Sequence, residues 1–335
     1  MSEIKPGCGL EREWLYKVVP LSAPYTINIV TSTVCNFRCV YCAQSLENNE
    51  KQKLGMKPEL MEMATFERIL GQIQGLKQHP KSIFLYGVGE PLCNPYIEEM
   101  VAAIKHTMPD VTVSFISNGA LLTEERSLAL IDAGLDILRI SIQGLSDEIY
   151  IKTCGVDVDF SELVRQLKFY HDHEKKGNKL FVKVIDTALK EGEEQTFYRL
   201  FEDISDRMYI EKEMPIFEGV SYSEDIKNRV IQDRYGNEHP PRIVCPMTFF
   251  TLSIMPDGEV RPCDNLKNAC ELGNIQDKSL AEIWESSSLR DFWKMQLEDR
   301  RGENSVCRLC VAPDDVSHKE DELDDYREEI LGRLE

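Results

Sequence analysis

The stretch that decides the fold is Thr26-Ile-Asn-Ile-Val-Thr-Ser-Thr33, which runs through Val34 into the loop Cys35-Asn-Phe-Arg-Cys39-Val-Tyr-Cys42. Its first part is a short run of β-branched and apolar residues, which predicts a strand. The loop then places three thiols within eight residues, spaced CxxxCxxC. A rigid strand that ends in a cluster of reactive side chains predicts a chemical site at that edge of a sheet.

Strand-like and helical segments alternate after this point. Apolar runs predict strands at residues 26–33, 82–86, 111–117, 136–142, 179–185 and 207–210. Helical periodicity separates them at residues 66–76, 97–107, 123–133, 163–170 and 196–204. This alternation requires a parallel sheet with right-handed crossovers. Six units predict an α/β fold, a partial (β/α)6 TIM-like barrel, with its chemistry at the carboxyl ends of the strands.

The segments outside the barrel differ in composition. We expect an N-terminal extension over residues 1–25, the barrel over 26–215, and a linker or substrate loop over the polar stretch 216–241. A small α+β module follows over 242–312. It contains a hairpin that turns at Pro256-Asp257-Gly258, and Ser279 and Glu282 form a capping box.

The last segment, residues 313–335, is strongly acidic. From Asp314 onward it carries ten acids against three Lys or Arg residues. Leu323, Tyr326 and Ile330 fall on one helical face, which predicts an acidic helix docked on the barrel. A partner-binding tail is the alternative.

Composition narrows the class of protein. The 335 residues are 42% hydrophobic and 29% charged, which is typical of a globular chain with a sizeable core. The net charge of -19 repels phosphate backbones, so we expect no nucleic-acid partner. The sequence contains no apolar run of membrane-spanning length and no signal peptide, so we expect a cytoplasmic protein without a membrane partner. Eleven cysteines in that compartment indicate metal or redox chemistry rather than disulfides.

Three thiolates on one short loop can hold three corners of an iron–sulfur cubane. The fourth iron is then left open to a substrate or cosubstrate. A zinc site with a remote fourth ligand is the alternative that spacing alone allows.

The motif at the end of the first strand resembles the radical S-adenosylmethionine (SAM) enzymes. The segment Gly87-Val-Gly89-Glu90-Pro91 is similar to their glycine–glutamate–proline motif. Ser117-Asn118 and Ser141-Ile-Gln143 resemble the segments that contact the ribose and the carboxylate of SAM in these enzymes. Tyr41 occupies the aromatic position that usually neighbours the adenine. The resemblance implies SAM, one 4Fe–4S cluster held by the three cysteines, and a 5′-deoxyadenosyl radical that abstracts hydrogen. It also implies a reductant such as flavodoxin or ferredoxin.

A second set of cysteines lies in the C-terminal module, at Cys245, Cys263, Cys307 and Cys310. A structural zinc knuckle is the simpler interpretation of this set. The spacing, with Gly258 and the segment Leu272 to Trp284, resembles the short, or twitch, form of the SPASM modules. That resemblance implies an auxiliary 4Fe–4S cluster that accepts or relays an electron or braces the fold.

The resemblance extends to sugar and aminocyclitol dehydrogenases and epimerases and to polysaccharide-associated radical SAM proteins. It implies oxidation of a hydroxyl-bearing carbon of a sugar or cyclitol. Epimerisation with Cys154 as hydrogen donor, peptide maturation, and a non-catalytic metal-binding scaffold are the alternatives. Strand ends offer Lys183, Asp186 and Glu211 as proton acceptors, although surface ion pairs are the simpler interpretation of all three.

The other reactive side chains have simpler interpretations. We expect Cys8, Cys93 and Cys270 to be small buried hydrophobes. We expect His171 and His173 to be solvated.

Overall fold

The structure is a computed structural model, and it describes residues 2–7, 9, 11–228, 232–315 and 318–334. Cys8 lies outside the described residues. Within them, the strands are β1 (Glu3–Ile4), β2 (Thr26–Ile29), β3 (Ser82–Phe84), β4 (Thr112–Ser117), β5 (Ile137–Ile142), β6 (Lys179–Ile185), β7 (Arg207–Glu211), β8 (Thr251–Ile254), β9 (Glu259–Arg261) and β10 (Gly273–Asn274).

The described strands form one sheet in the order β1-β7-β6-β5-β4-β3-β2-β8-β9-β10. Strands β2 to β7 pair in parallel, each with the next along the chain. Strand β5 shows how the sequence builds two faces: Leu138 and Ile140 are fully buried, whereas Arg139 and Ser141 lie on the alternate face, which lines the barrel interior. The predicted α/β fold, a partial (β/α)6 barrel with a C-terminal module, is confirmed.

Amphipathic helices cover the outside of the sheet. Helix α3, for example, buries Phe66, Ile69 and Ile73 on one face. The described helices are α1 (Leu15–Val18), α2 (Asn48–Lys53), α3 (Met63–Gln74), α4 (Ile97–Thr107), α5 (Glu124–Asp132), α6 (Asp147–Cys154), α7 (Phe160–Asp172), α8 (Glu194–Phe201), α9 (Glu224–Lys227), α10 (Leu280–Trp284), α11 (Ser287–Leu297), α12 (Ala312–Asp315) and α13 (Arg327–Leu334).

The C-terminal module continues the barrel sheet. Strand β8 pairs in parallel with β2 and antiparallel with β9, so the predicted hairpin adds its strands to the barrel edge. Gln72 of α3 donates to the Ile275 carbonyl at 2.8 Å and accepts from the Leu280 amide at 3.0 Å. Ser279 and Glu282 form the predicted capping box at the start of α10. The module therefore packs firmly on the barrel.

Both terminal segments also contact the barrel or the module. Strand β1 pairs in parallel with β7. The stretch predicted as one acidic helix, 313–335, instead contains, in its described residues, α12, two single turns of 3-10 helix and α13. Tyr326, the last residue of the second turn, stacks on Tyr16 with 3.6 Å between ring centroids. Helix α13 buries Ile330 and Leu334, so this stretch is docked.

Among the described residues, no helix combines the length and the apolar composition that crossing a bilayer requires.

Candidate active site

The first cysteine loop follows β2 and is clamped by neighbouring backbone. The amide of Glu90 donates to the Val34 carbonyl at 2.8 Å. Gln44 donates to the carbonyls of Thr33 at 2.9 Å and Val88 at 3.2 Å. Sequence reasoning missed Gln44, because a single glutamine after the last cysteine carries no motif. The loop is thereby fastened to the segment after β3.

The three thiols on this loop suit iron. Burial is the main reason that the pKa of Cys35 and of Cys42 rises to about 12, and the neighbouring thiols raise both pKa values further. Buried thiols do not ionise readily by themselves, and a bound metal would hold them as thiolates. This donor set, three thiols on one loop, fits three corners of a cubane.

Two glycines of the segment after β3 lie against the residues that follow β2, with no space for a side chain. A Cβ on Gly89 would stand 2.2 Å from the Ser32 carbonyl oxygen, and one on Gly87 would stand 2.6 Å from a Val30 methyl. Only glycine permits such a close backbone approach. This contact fixes the segment that we predict to meet SAM.

The carboxylate of Glu90 joins two loops from inside the protein. It is buried and accepts three hydrogen bonds, from the Ser117 hydroxyl at 2.8 Å, the Asn118 amide at 2.8 Å and the Leu92 amide at 3.0 Å. Burial raises the pKa of Glu90, although the three donors oppose this rise. Its side chain braces the loops after β3 and β4, so a contact with SAM is left to the backbone.

The remaining predicted SAM contacts lie around the same edge. Asn118 donates to Asn36 Oδ1 at 2.8 Å, which ties the loop after β4 to the cysteine loop. Gln143 donates to the Ser141 carbonyl at 3.1 Å. Tyr41 turns its hydroxyl inward, where burial and then the Cys39 thiol raise its pKa. The structure thus brings all these segments together, and their contacts with SAM stay predictions.

The second set of thiols also converges. Burial raises the pKa of Cys245 to about 12 and of Cys307 to about 11, and thiol neighbours add to both shifts. Gln296 donates toward Cys307 Sγ at 3.7 Å, and Asn265 toward Cys310 Sγ at 3.4 Å. Hydrogen bonds to ligand sulfurs tune a bound cluster. The four converging thiols, which we predict to be the ligands of the auxiliary cluster, are Cys245, Cys263, Cys307 and Cys310.

A buried charge network crosses the barrel interior. Lys183 donates to Glu211 at 2.6 Å, and nitrogen atoms of Arg234 and Arg139 lie 3.7 and 3.9 Å from the same carboxylate. Burial alone would raise the pKa of Glu211, but Lys183 and the two arginines lower it to about 2. Arg234, from the predicted linker, also pairs with Asp315. Glu211 is thus a fixed carboxylate and a poor proton acceptor.

Two of the predicted catalytic residues have other contacts. Asp186 accepts from the Glu213 amide at 2.9 Å, which ties the end of β6 to the end of β7. Cys154 is fully buried at the end of α6, and its sulfur lies 3.6 Å from Cys39 Sγ. The hydrogen-donor role predicted for Cys154 is therefore not supported, because this thiol lies against the cluster loop and not in an open cavity.

Sequence reasoning missed Asp264, which follows the predicted auxiliary ligand Cys263. Asp264 lines a cleft between barrel and module together with Val30, Gly87 and Arg261. Burial raises the pKa of the Asp264 carboxyl, and Asp315 adds to the shift. Adjacency to a ligand cysteine was the signal available in the sequence.

The histidines behave in part as predicted. His173 is exposed, whereas His171 is half-buried with Glu174 and Asp206 at the opposite end of the barrel. One donor atom from each of these three residues lies within 4.8 Å of the others. Burial and then Asp206 raise the pKa of Glu174 to about 8. This cluster lies away from the cysteine loops.

Comparison with known proteins agrees with this site. The radical SAM superfamily pattern matches residues 29–203, and the pattern of an iron-sulfur cluster-binding domain, SPASM, matches residues 245–311. The first match covers just over half of the chain, which therefore belongs to the radical SAM superfamily. It is a radical SAM enzyme that uses SAM and 4Fe–4S clusters, with an auxiliary iron–sulfur module.

Two curated relatives differ in how much of the chain they share. A probable GTP 3′,8-cyclase of Methanococcus aeolicus is 31% identical over 136 residues, which is 40% of this chain and 42% of that one. The chain thus spans about two fifths of that relative. The SAM-dependent 2-deoxy-scyllo-inosamine dehydrogenase of Niallia circulans is 21% identical over 301 residues, 90% of this chain and 96% of that one.

Solved structures show the same fold. BtrN in complex with AdoMet and 2-DOIA has a TM-score of 0.56 at 17% identity, with 88% of this chain and 97% of that one covered. Streptococcus suis SuiB bound to the precursor peptide SuiA has a TM-score of 0.55 at 18% identity, with 90% and 72% covered. These two bind different kinds of partner, so the likeness concerns the fold alone.

Proposed function

We propose that this enzyme oxidises a hydroxyl-bearing carbon of a sugar or an aminocyclitol to a ketone. A relative that matches along nearly its whole length is a dehydrogenase, which supports oxidation. The observation that carries the proposal is the position of Asp264, which lines the cleft and follows the predicted ligand Cys263 in sequence. Alcohol oxidation needs such a group, because it releases a proton together with a hydrogen atom and an electron.

The proposed step balances in the following way. One C–H bond and the adjacent O–H bond break, and a C=O bond forms. When bound, SAM and the clusters supply a 5′-deoxyadenosyl radical for the hydrogen atom and an acceptor for the remaining electron. Asp264 takes the hydroxyl proton.

Asp264 suits this role better than the groups predicted from sequence. Glu211 is held as a carboxylate by Lys183 and two arginines, so it has little tendency to take a proton. Oδ1 of Asp186 already accepts hydrogen bonds from the backbone amides of Thr187 and Glu213. The paired charges of the interior instead provide fixed polar partners that orient the substrate.

The test is an anaerobic assay of the cluster-loaded enzyme on candidate cyclitols and sugars in deuterated buffer. We expect a ketone without solvent deuterium at the reacting carbon. Asp264→Asn should lose the ketone yet still form 5′-deoxyadenosine. Asp257→Asn is the matched control, because Asp257 is exposed in the same cleft, on the hairpin turn. Full ketone formation by Asp264→Asn would refute the assignment.

The same assay distinguishes the other reactions. Deuterium at the carbon with inverted configuration would indicate epimerisation instead. Turnover of a peptide but of no sugar or cyclitol would indicate a maturase.

A further inference from the structure

The thiol of Cys154 lies against the first cysteine loop. Cys154 is fully buried, and its sulfur stands 3.6 Å from Cys39 Sγ, which is within hydrogen-bond reach for two sulfur atoms. Cys39 is one of the three residues that we predict to hold the SAM-binding cluster, and it is buried, whereas Cys35 and Cys42 are partly exposed. The contact between the two sulfurs is therefore made inside the protein.

Backbone hydrogen bonds hold the two sulfurs together. The Arg38 amide donates to the Cys154 carbonyl at 3.0 Å, and the Val40 amide donates to the Thr153 carbonyl at 2.9 Å. These two bonds lie on either side of Cys39 along the chain, and they join the cysteine loop to the last turn of α6. The position of the Cys154 thiol thus depends on backbone contacts and not on a mobile loop.

The direction of the hydrogen bond follows from the chemistry of a ligand. A cysteine that binds iron does so as a thiolate, and its sulfur then carries no hydrogen. The hydrogen between the two sulfurs must in that state belong to Cys154, which donates to Cys39. A hydrogen bond to a charged acceptor is stronger than one between neutral groups, and burial strengthens it further.

A second donor lies beside the same sulfur. The Tyr41 hydroxyl is buried and has no hydrogen-bond partner among the described residues. After burial itself, the Cys39 thiol is the largest cause that raises the pKa of Tyr41, so the hydroxyl and this thiol are neighbours. A buried hydroxyl without an acceptor costs free energy, and a thiolate at Cys39 would supply the acceptor.

We propose that Cys154 and Tyr41 raise the reduction potential of the SAM-binding cluster by donating hydrogen bonds to the sulfur of Cys39. An added electron increases the negative charge on a cluster and on its ligand sulfurs. Donors to those sulfurs therefore stabilise the reduced state more than the oxidised state. This inference depends on the predicted ligand role of Cys39 and not on the proposed substrate.

The experiment is an anaerobic redox titration of the cluster-loaded enzyme, followed by electron paramagnetic resonance. The SAM-binding cluster is the one whose signal changes when SAM is added, and the auxiliary cluster is the internal reference. We expect Cys154→Ala to make reduction of the SAM-binding cluster about tenfold less favourable, which lowers its midpoint potential by about 59 mV for one electron. The auxiliary cluster should keep its potential.

Two further variants separate the hydrogen bond from packing. Cys154→Ser is nearly the same size and still donates, so its potential should equal or exceed that of the unsubstituted enzyme. Cys93→Ala is the matched control, because Cys93 is a partly buried cysteine of the segment after β3, and no hydrogen bond of the described residues joins it to a ligand sulfur. It should leave both potentials unchanged.

Tyr41→Phe tests the second donor independently, because it keeps the ring and removes only the hydroxyl. This variant should also lower the potential of the SAM-binding cluster, and it answers the question if the Cys154 variants bind no cluster. Unchanged potentials in both Cys154→Ala and Tyr41→Phe would overturn the proposal. An equal fall in Cys154→Ala and Cys154→Ser would also overturn it, because packing alone would then explain the effect.

Discussion

Replacement of Glu90 by alanine tests how the SAM-binding edge of the barrel is held together. The carboxylate of Glu90 lies inside the protein, 3% exposed, and accepts from Ser117, Asn118 and Leu92. Alanine removes every acceptor and leaves the three donors in place. The loops after β3 and β4 then lose their common brace.

The magnitude follows from the count of donors. A buried donor without a partner costs about 1–3 kcal/mol, so Glu90→Ala should reduce the free energy of unfolding by about 3–9 kcal/mol. Folded domains are stable by only about 5–15 kcal/mol, so the variant should be close to unfolded. Glu90→Gln keeps one acceptor oxygen and directs its NH2 group at one donor. It should therefore reduce the free energy of unfolding by about 1–3 kcal/mol.

Anaerobic urea unfolding of the cluster-loaded protein measures these changes. Glu67→Gln is the control, because Glu67 is exposed on α3, and it should change the unfolding free energy by less than about 0.5 kcal/mol. A double-mutant cycle of Glu90→Gln with Ser117→Ala should give a coupling energy of about 0.5–3 kcal/mol. If the unfolding free energy of Glu90→Ala lies within about 1 kcal/mol of that of the unsubstituted protein, the bracing role is wrong.

Two more predictions concern other parts of the barrel. Gly89→Ala places a Cβ within 2.2 Å of the Ser32 carbonyl oxygen, so this variant should lose SAM binding in equilibrium dialysis. Gly71→Ala is the control, because a Cβ on Gly71 meets nothing within 4 Å. It should stabilise α3 by about 0.5–1 kcal/mol. Burial and Asp206 raise the pKa of Glu174 from 4.5 to about 8, so the folded state holds a proton that the unfolded chain releases, and stability should fall as pH rises through that range. Glu174→Gln should flatten this slope in unfolding midpoints measured at several pH values; an unchanged slope would contradict it.

Local patterns predicted the barrel strands and the two groups of neighbouring cysteines, since both depend on side-chain periodicity or spacing. The hairpin and the Ser279 cap were predictable for the same reason. Pairing of β8 with β2 was not, because a strand's pattern does not say which strand lies beside it. Likewise, the polar composition of segment 216–241 did not predict the ion pair between Arg234 and Asp315, because these residues are far apart in sequence.

The unpredicted pairing of β8 with β2 determines which end of the hairpin lies beside the cleft. Strand β8 runs parallel to β2, and β9 runs antiparallel to β8, so β9 also runs antiparallel to β2. The turn at Pro256-Asp257-Gly258 therefore lies at the edge of the sheet where β2 ends, whereas Cys263 follows the end of β9 toward the opposite edge. Backbone hydrogen bonds of a sheet, unlike loop contacts, do not let this arrangement drift. Asp257 of the turn and Val30 after β2 consequently line the same cleft.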